Sequence, residues 1–336
     1  MLKVLQLFRR PHAGSFSVER LYEDVRGHLP EDLELEILAN RFYSSGLWRR
    51  LYDSVSVSWR QADVYHVTGD VHYLTYFLDR RRTLLTILDC IPLDRHSGVK
   101  FWLLWLFWYW LPEKRCTAIA VISQATRDRL LHYMRCAPEK IHVIYCNVSD
   151  EFQPNPKEFN VVRPRILQVG VKANKNLERH VAALAGLECE LVIIGELSER
   201  QRDLLAQYKI CYENHVSLSR EALLEQYARS DMLLFASTYE GFGLPIVEAQ
   251  AIGRPVVTSD LLSMPEVAGN AACLVDPLDV KSIRTGVRRV IEERDYRENL
   301  VRLGFENVRR FRVREIARQY AALYRQIHQS VTRKQG

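Results

Sequence analysis

No stretch of this 336-residue chain stays apolar long enough to cross a bilayer as a helix. The nearest, FWLLWLFWYWL from Phe101 to Leu111, covers about 17 Å at 1.5 Å per residue against a hydrocarbon core of roughly 30 Å. The seven cysteines, scattered from Cys90 to Cys273, include no C-x-x-C pair and stand beside no histidine cluster at metal spacing. That argues against a zinc module or a disulfide framework and fits a reduced cytosolic interior. The opening residues, MLKVLQLFRRPHAGS, lack the long apolar core and small-residue cleavage site of a signal peptide, so a cytoplasmic location is expected, with peripheral attachment to the cytoplasmic membrane face as an option. No short-period repeat, low-complexity tract, D-x-D motif or nucleic-acid module is apparent.

What is present suits a globular protein of two domains, since 336 residues exceed what one core usually serves. Short apolar runs alternate with helical stretches. In the first half VLQLF (4–8), LELEIL (33–38), VYHV (64–67), TLLTIL (83–88), AIAVIS (118–123) and IHVIY (141–145) read as strands. In the second half RILQVG (165–170), ELVIIG (190–195), DMLLFA (231–236), PVVTS (255–259) and ACLV (272–275) do the same, and Ser198 with Gln201 forms a capping box. Such alternation predicts parallel, doubly wound sheets. Pro154, Pro156 and Pro164 mark a polar linker between the halves.

The most telling segment is STYEGFGLPIVE, from Ser237 to Glu248. It follows a buried-strand run and precedes helical composition, so it predicts strand, loop, helix. Gly241 and Gly243 permit backbone angles closed to other residues, and Pro245 suits a first helical turn. A helix start reached through such a loop offers N–H groups and a positive dipole end to a phosphate or diphosphate, with Glu240 in the loop and Glu248 in the first turns. Spacing alone leaves a plain turn as an equal alternative.

Two further features need an account. The run from Phe101 to Leu111 carries Trp102, Trp105, Trp108 and Trp110, is flanked by Lys100, Lys114 and Arg115, and is apolar on nearly every helical face. Tryptophan favours a half-wet interface and cations meet anionic headgroups, so a peripheral membrane contact is expected, with a core helix and a protein–protein patch as alternatives. The net charge of +6 owes much to Arg309, Arg310, Arg312, Arg314, Arg318, Arg325, Arg333 and Lys334. A solvated helix face is the expected reading of that tract, with a membrane surface as the alternative, and no nucleic-acid partner is expected.

EGFGLPIVEA, followed by GRPVVTSDLLSMPEVAGNAACLVDPLD from Gly253 to Asp279, resembles the glutamate-x7-glutamate signature and donor-binding domain of retaining family 4 (group 1) glycosyltransferases, strongly from Ile166 to Pro277 and more loosely before. The resemblance implies an α/β chain of GT-B fold, two Rossmann-like doubly wound domains facing a cleft. It implies an acceptor-binding domain over 1–153, a linker over 154–164, a nucleotide-sugar-binding domain over 165–308, and a C-terminal helix over 309–336, carrying FRVREIARQYAALYRQI, that crosses back to the first domain. The implied activity is transfer of a hexose, mannose or glucose, from a nucleotide sugar to a saccharide or lipid-linked acceptor, with no metal.

Carried over residue by residue, the resemblance makes Glu240 the group on the transferred sugar and Glu248 the ribose ligand. Gly241, Phe242, Gly243 and Leu244 meet sugar and phosphate through their N–H groups. Lys175, before Asn176 in VKANKNLERH, neutralises the diphosphate, with Lys172 as the second cation, and Gly14 and Ser15 form the glycine-containing loop of the first domain. Glu266, in SMPEVAG, is as readily structural. Relatives commonly carry histidine before aspartate after the fourth strand, whereas this chain has Leu88 before Asp89. His72 is therefore a candidate catalytic replacement, with His66 and Asp89 behind it. The departure leaves open a catalytically impaired nucleotide-sugar-binding or scaffold protein of the same fold.

Overall fold

The eleven apolar runs become strands in a computed structural model that describes residues 1–10, 17–43 and 46–333. The first sheet contains β1 (Leu2–Phe8), β2 (Leu33–Ala39), β3 (Val64–Val67), β4 (Thr83–Ile87), β5 (Ala118–Val121) and β6 (Ile141–Val143), in the order β2-β1-β3-β4-β5-β6. The second contains β7 (Arg165–Val169), β8 (Glu190–Ile194), β9 (Tyr212–His215), β10 (Met232–Phe235), β11 (Val256–Ser259) and β12 (Cys273–Val275), in the order β12-β11-β10-β7-β8-β9. Every pairing within both sheets is parallel. Strand β9 was not predicted. YENH has no apolar pattern because it is an edge strand whose residues are half-buried or exposed.

The chain divides into two compact units, Met1–Asn147 with Val313–Gly336, and Val148–Arg312. In the first, alternate residues of each strand feed opposite faces of the sheet. Leu5, Leu7, Val67, Leu85 and Val121 enter one core, while Val4, Phe8, Val64, Leu84 and Ala120 meet Ile316, Ala317, Tyr320 and Tyr324 of the helix Val313–Thr332 in the other. A buried polar set crosses that second core. The Tyr324 hydroxyl accepts from Gln6 Nε2 at 3.0 Å and pairs with His66 Nδ1 at 2.8 Å, while His66 Nε2 meets Thr86 Oγ1 at 2.7 Å. Burial pushes the His66 imidazole down to about 3.

In the second unit, helices Leu177–Leu184 and Val280–Glu292 bury Leu177, Val181, Leu184, Ile283, Val287 and Val290 against Leu191, Ile193, Leu234 and Val257. The segment 154–164, expected as a linker, lies within this unit: the Asn155 N–H donates to Ile252 O at 3.1 Å, and Lys157 pairs with Asp231 at 2.8 Å.

The aromatic run is one helical stretch of the first unit: α-helical over Gly98–Leu104, a π-helical turn over Trp105–Trp110, and α-helical again over Leu111–Lys114. Phe101, Leu104, Trp105, Trp108 and Tyr109 pack on the core, whereas Trp102, Leu103, Phe107 and Trp110 are exposed. No helix among the described residues is long and apolar enough to cross a membrane.

Candidate active site

The order of the second sheet reverses between β7 and β10, which lie side by side, and in open parallel sheets ligands bind beyond the carboxyl ends of the strands at such a reversal. The loop after β7 begins at Gly170, whose φ of 88° is open to glycine. A side chain there is also excluded by contact, since a Cβ on Gly170 falls 3.0 Å from both Cγ and Cε of Lys175. The bare glycine thus gives the Lys175 stem its channel. Lys172 is exposed at the start of the single turn Ala173–Lys175. Lys175 instead folds inward, its Nζ 4.5 Å from the centre of the Phe235 ring and 2.7 Å from Glu240 Oε1.

Asn176 closes the turn in the left-handed conformation, at φ 62°. Buried, it donates from Nδ2 to Ala236 O at 2.9 Å and to Pro277 O at 2.7 Å, binding the β7 loop to the end of β10. Asn174 adds a second tie: its Nδ2 donates to Tyr239 O at 3.0 Å and Glu240 Oε1 at 3.3 Å, and its carbonyl accepts from the Thr238 N–H at 2.8 Å. Glu240 is therefore held by two donors from a neighbouring loop.

Beyond Glu240 the chain turns through Gly241 and Phe242 to Gly243, at φ 107°, which caps the helix Leu244–Ile252 with Pro245 in its first turn and no side-chain cap. Phe242 is buried and meets Phe311 edge-on at 5.5 Å. The Ser263 hydroxyl lies 2.9 Å from the carbonyls of both Glu240 and Phe242 and fixes the loop from below. Ser263 follows Leu262, a non-glycine residue at φ 55° and ψ −126°, a conformation kept only where surrounding structure enforces it. Glu266 lies in the first turn of the short helix Ser263–Ala268, its carbonyl accepting from Arg310 at 3.3 Å.

Glu248, in the second turn of the helix from Leu244, accepts a 2.6 Å hydrogen bond from the Tyr227 hydroxyl. Desolvation raises its carboxyl above the ordinary range, while that hydrogen bond and the charges of Arg220 and Lys175 pull the other way. Burial pushes the Tyr227 phenol well up, so it stays a donor. Lys175, Glu240, the Gly243 turn and Glu248 thus share one end of one sheet. Among the described residues no group of three or more His, Cys, Asp or Glu is placed to hold a metal ion.

In the first unit, Gly14 and Ser15 lie outside the described residues. His72 opens the short helix His72–Phe77, is buried, and holds Trp108 O at 2.6 Å through Nδ1, with its ring edge-on to Tyr109. Desolvation lowers its pKa, so the ring is a neutral anchor for the aromatic helix. His66 is enclosed as described above. Asp89 is half-buried just beyond β4, its Oδ1 accepting from the Ile91 N–H at 2.9 Å and its carboxyl raised by desolvation.

Residues 149–306 match the family model described as glycosyl transferases group 1. This part of the chain belongs to that family. Among curated relatives, the MMP alpha-(1->4)-mannosyltransferase of Mycolicibacterium hassiacum is 31% identical over 65% of this chain and 57% of its own length. The O-antigen chain mannosyltransferase RfbU of Salmonella typhimurium is 28% identical over 58% of each chain. The matches therefore span little more than half of these relatives. Among solved structures, Anabaena HepE in complex with UDP and glucose superposes over 96% of this chain and 99% of its own with a TM-score of 0.77, at 14% identity. The fold is thus that of GT-B glycosyltransferases, with two Rossmann-like domains.

Within this group 1 domain, several residues that position the site carry no sequence signal of their own. Asn174 is one polar residue in a polar loop, Ser263 lies beyond the glutamate pair, and Tyr227 sits in the helix Arg220–Arg229, whose sequence carries no sign of its tie to Glu248. Only the proximity of β7 and β10 could have shown them.

Proposed function

We propose that this chain is a retaining hexosyltransferase that moves mannose or glucose from a nucleotide sugar to a saccharide or lipid-linked acceptor in the synthesis of a surface polysaccharide or glycolipid. The observation that carries the reading is the 2.7 Å contact of Lys175 with Glu240 at the carboxyl ends of β7 and β10. Mannose is favoured because both relatives described are named mannosyltransferases. Lys175 meets the donor diphosphate, with the exposed Lys172 as a second cation and the start of the helix Leu244–Ile252 as a dipole. The N–H groups from Gly241 to Leu244 complete that cradle. Glu240 binds hydroxyls of the transferred sugar and stabilises its positive transition state, and Glu248 binds the ribose.

Charge gathering on the leaving diphosphate is met by these fixed groups without a metal. Transfer occurs at the cytoplasmic membrane face, where the helix carrying Phe101 to Leu111 contacts the bilayer that holds a lipid-linked acceptor. The reading is tested by incubating the protein with a panel of UDP- and GDP-sugars, with and without a chelator, while following donor hydrolysis and binding. Turnover that survives chelation is the expected result, and turnover abolished by it would remove the metal-free assignment.

Leu88, in place of the histidine common in relatives, favours a second reading: a nucleotide-sugar-binding protein of impaired activity. It predicts donor binding without turnover even when acceptors are supplied.

A further inference from the structure

The aromatic helix has a neighbour with the same character. Helix Leu47–Ser58 buries Asp53, Ser54 and Val57 and leaves Leu47, Trp48, Leu51 and Tyr52 in solvent, followed by Trp59. Trp48 is 79% exposed and Trp59 80%, on a stripe that Leu51 and Val55 continue at helical spacing. On the aromatic helix, Val99 is 75% exposed and Trp102 61%, with Leu103, Phe107 and Trp110 beside them. Both helices are fastened to the same short segment, His72–Phe77. His72 and Tyr76 bond the carbonyls of Trp108 and Phe107, and Ser54 donates to Tyr73 O at 3.1 Å. The Arg50 guanidinium joins them directly, 4.6 Å from the Trp108 ring. Phe77, on the shared segment, is itself exposed.

Charge selects the occupant. Over 47–60 the only acid is Asp53 and over 98–114 the only acid is Glu113, and both are buried, Glu113 between Lys114 at 3.0 Å and Lys140 at 2.8 Å. The exposed charges of these two stretches are Arg49, Arg60, Lys100 and Lys114. Exposed tryptophans among cations, with no exposed carboxylate in either stretch and the Glu36 carboxylate, from outside them, 3.9 Å from Arg60, fit the boundary between acyl chains and anionic headgroups.

We infer that helices Leu47–Ser58 and Gly98–Lys114 form a single two-helix face that docks on an anionic lipid bilayer. This deepens the peripheral contact proposed above and does not depend on the transfer chemistry.

The experiment is flotation of the whole protein with vesicles of phosphatidylcholine alone and of phosphatidylcholine with one quarter phosphatidylglycerol, at low and high salt. The expected result is partition into the anionic vesicles, weakened by salt. The pairs Trp48→Ser with Trp59→Ser, and Trp102→Ser with Phe107→Ser, should each lower the partition coefficient by about tenfold or more. Arg49→Glu with Lys100→Glu keeps every apolar group and should do the same, which separates lost docking from lost folding. Equal partition into both vesicle types would overturn the anionic requirement. Loss with the Trp102 pair but not the Trp48 pair would overturn the two-helix face and leave a one-helix contact. A self-associated species in solution that the Trp48 pair dissolves would assign the face to a second copy instead. Donor hydrolysis without vesicles, measured on the same samples, reports separately on the transferase reading.

Discussion

Lys175 owes its place to its neighbours, since a free lysine would sample several rotamers in water. Its stem runs in the channel left by Gly170, its ammonium lies over Phe235, and Glu240 holds it at 2.7 Å. A cation fixed before the donor arrives loses little entropy on binding and reorganises little during transfer. Replacing Lys175 by Met should lower kcat by roughly 100-fold, about 3 kcal/mol of lost electrostatic stabilisation. Single-turnover kinetics would check it. Glu240→Ala should abolish transfer while calorimetry still reads nucleotide binding; intact transfer would remove Glu240 from the chemistry. Tyr227→Phe deletes the one hydrogen bond described on Glu248 and should weaken nucleotide binding several-fold, about 1 kcal/mol, with kcat little changed.

At the scale of elements, the site is two loops and a helix start, and the β7 loop depends on one glycine. Gly170→Ala puts a methyl at φ 88° and against the Lys175 stem, so it should cost about 1–3 kcal/mol of stability and displace the lysine. A urea titration together with donor KM would show both effects. The strands were legible because buried parallel strands are continuous apolar runs bounded by turn residues, as in VYHV and TLLTIL. YENH escaped notice because an edge strand of half-wet residues has no such contrast. The glutamate pair and Lys175 were legible through motif. Tyr227, Asn174 and Ser263 were not, because each acts across 21 to 66 positions of sequence through contacts that only the sheet order creates. The aromatic run was ambiguous for a physical reason: it does two jobs, one side in the core and the other in solvent.

On the scale of the whole molecule, buried imidazoles tie stability to pH, with His72 shifted in the same direction as the two most strongly lowered, His66 and His180. Desolvation lowers His66 to about 3 and His180 to about 4, so both rings are neutral in the fold while the unfolded chain takes up protons near 6.5. Below 6.5 the unfolded state binds more protons, and stability is lost as pH falls towards these values, by up to about 1.4 kcal/mol per pH unit for each ring. Urea midpoints measured between pH 7 and 5 should fall, and His66→Gln should flatten the slope. The division of the chain has a consequence for its synthesis. Because the second unit runs unbroken from Val148 to Arg312 while the first is completed only by the helix from Val313, a nascent chain can finish the later unit before the earlier one. Until that helix leaves the ribosome, Val4, Tyr22, Val64 and Leu84 lack the apolar cover it supplies, and the unit begun first is the last to become safe from aggregation.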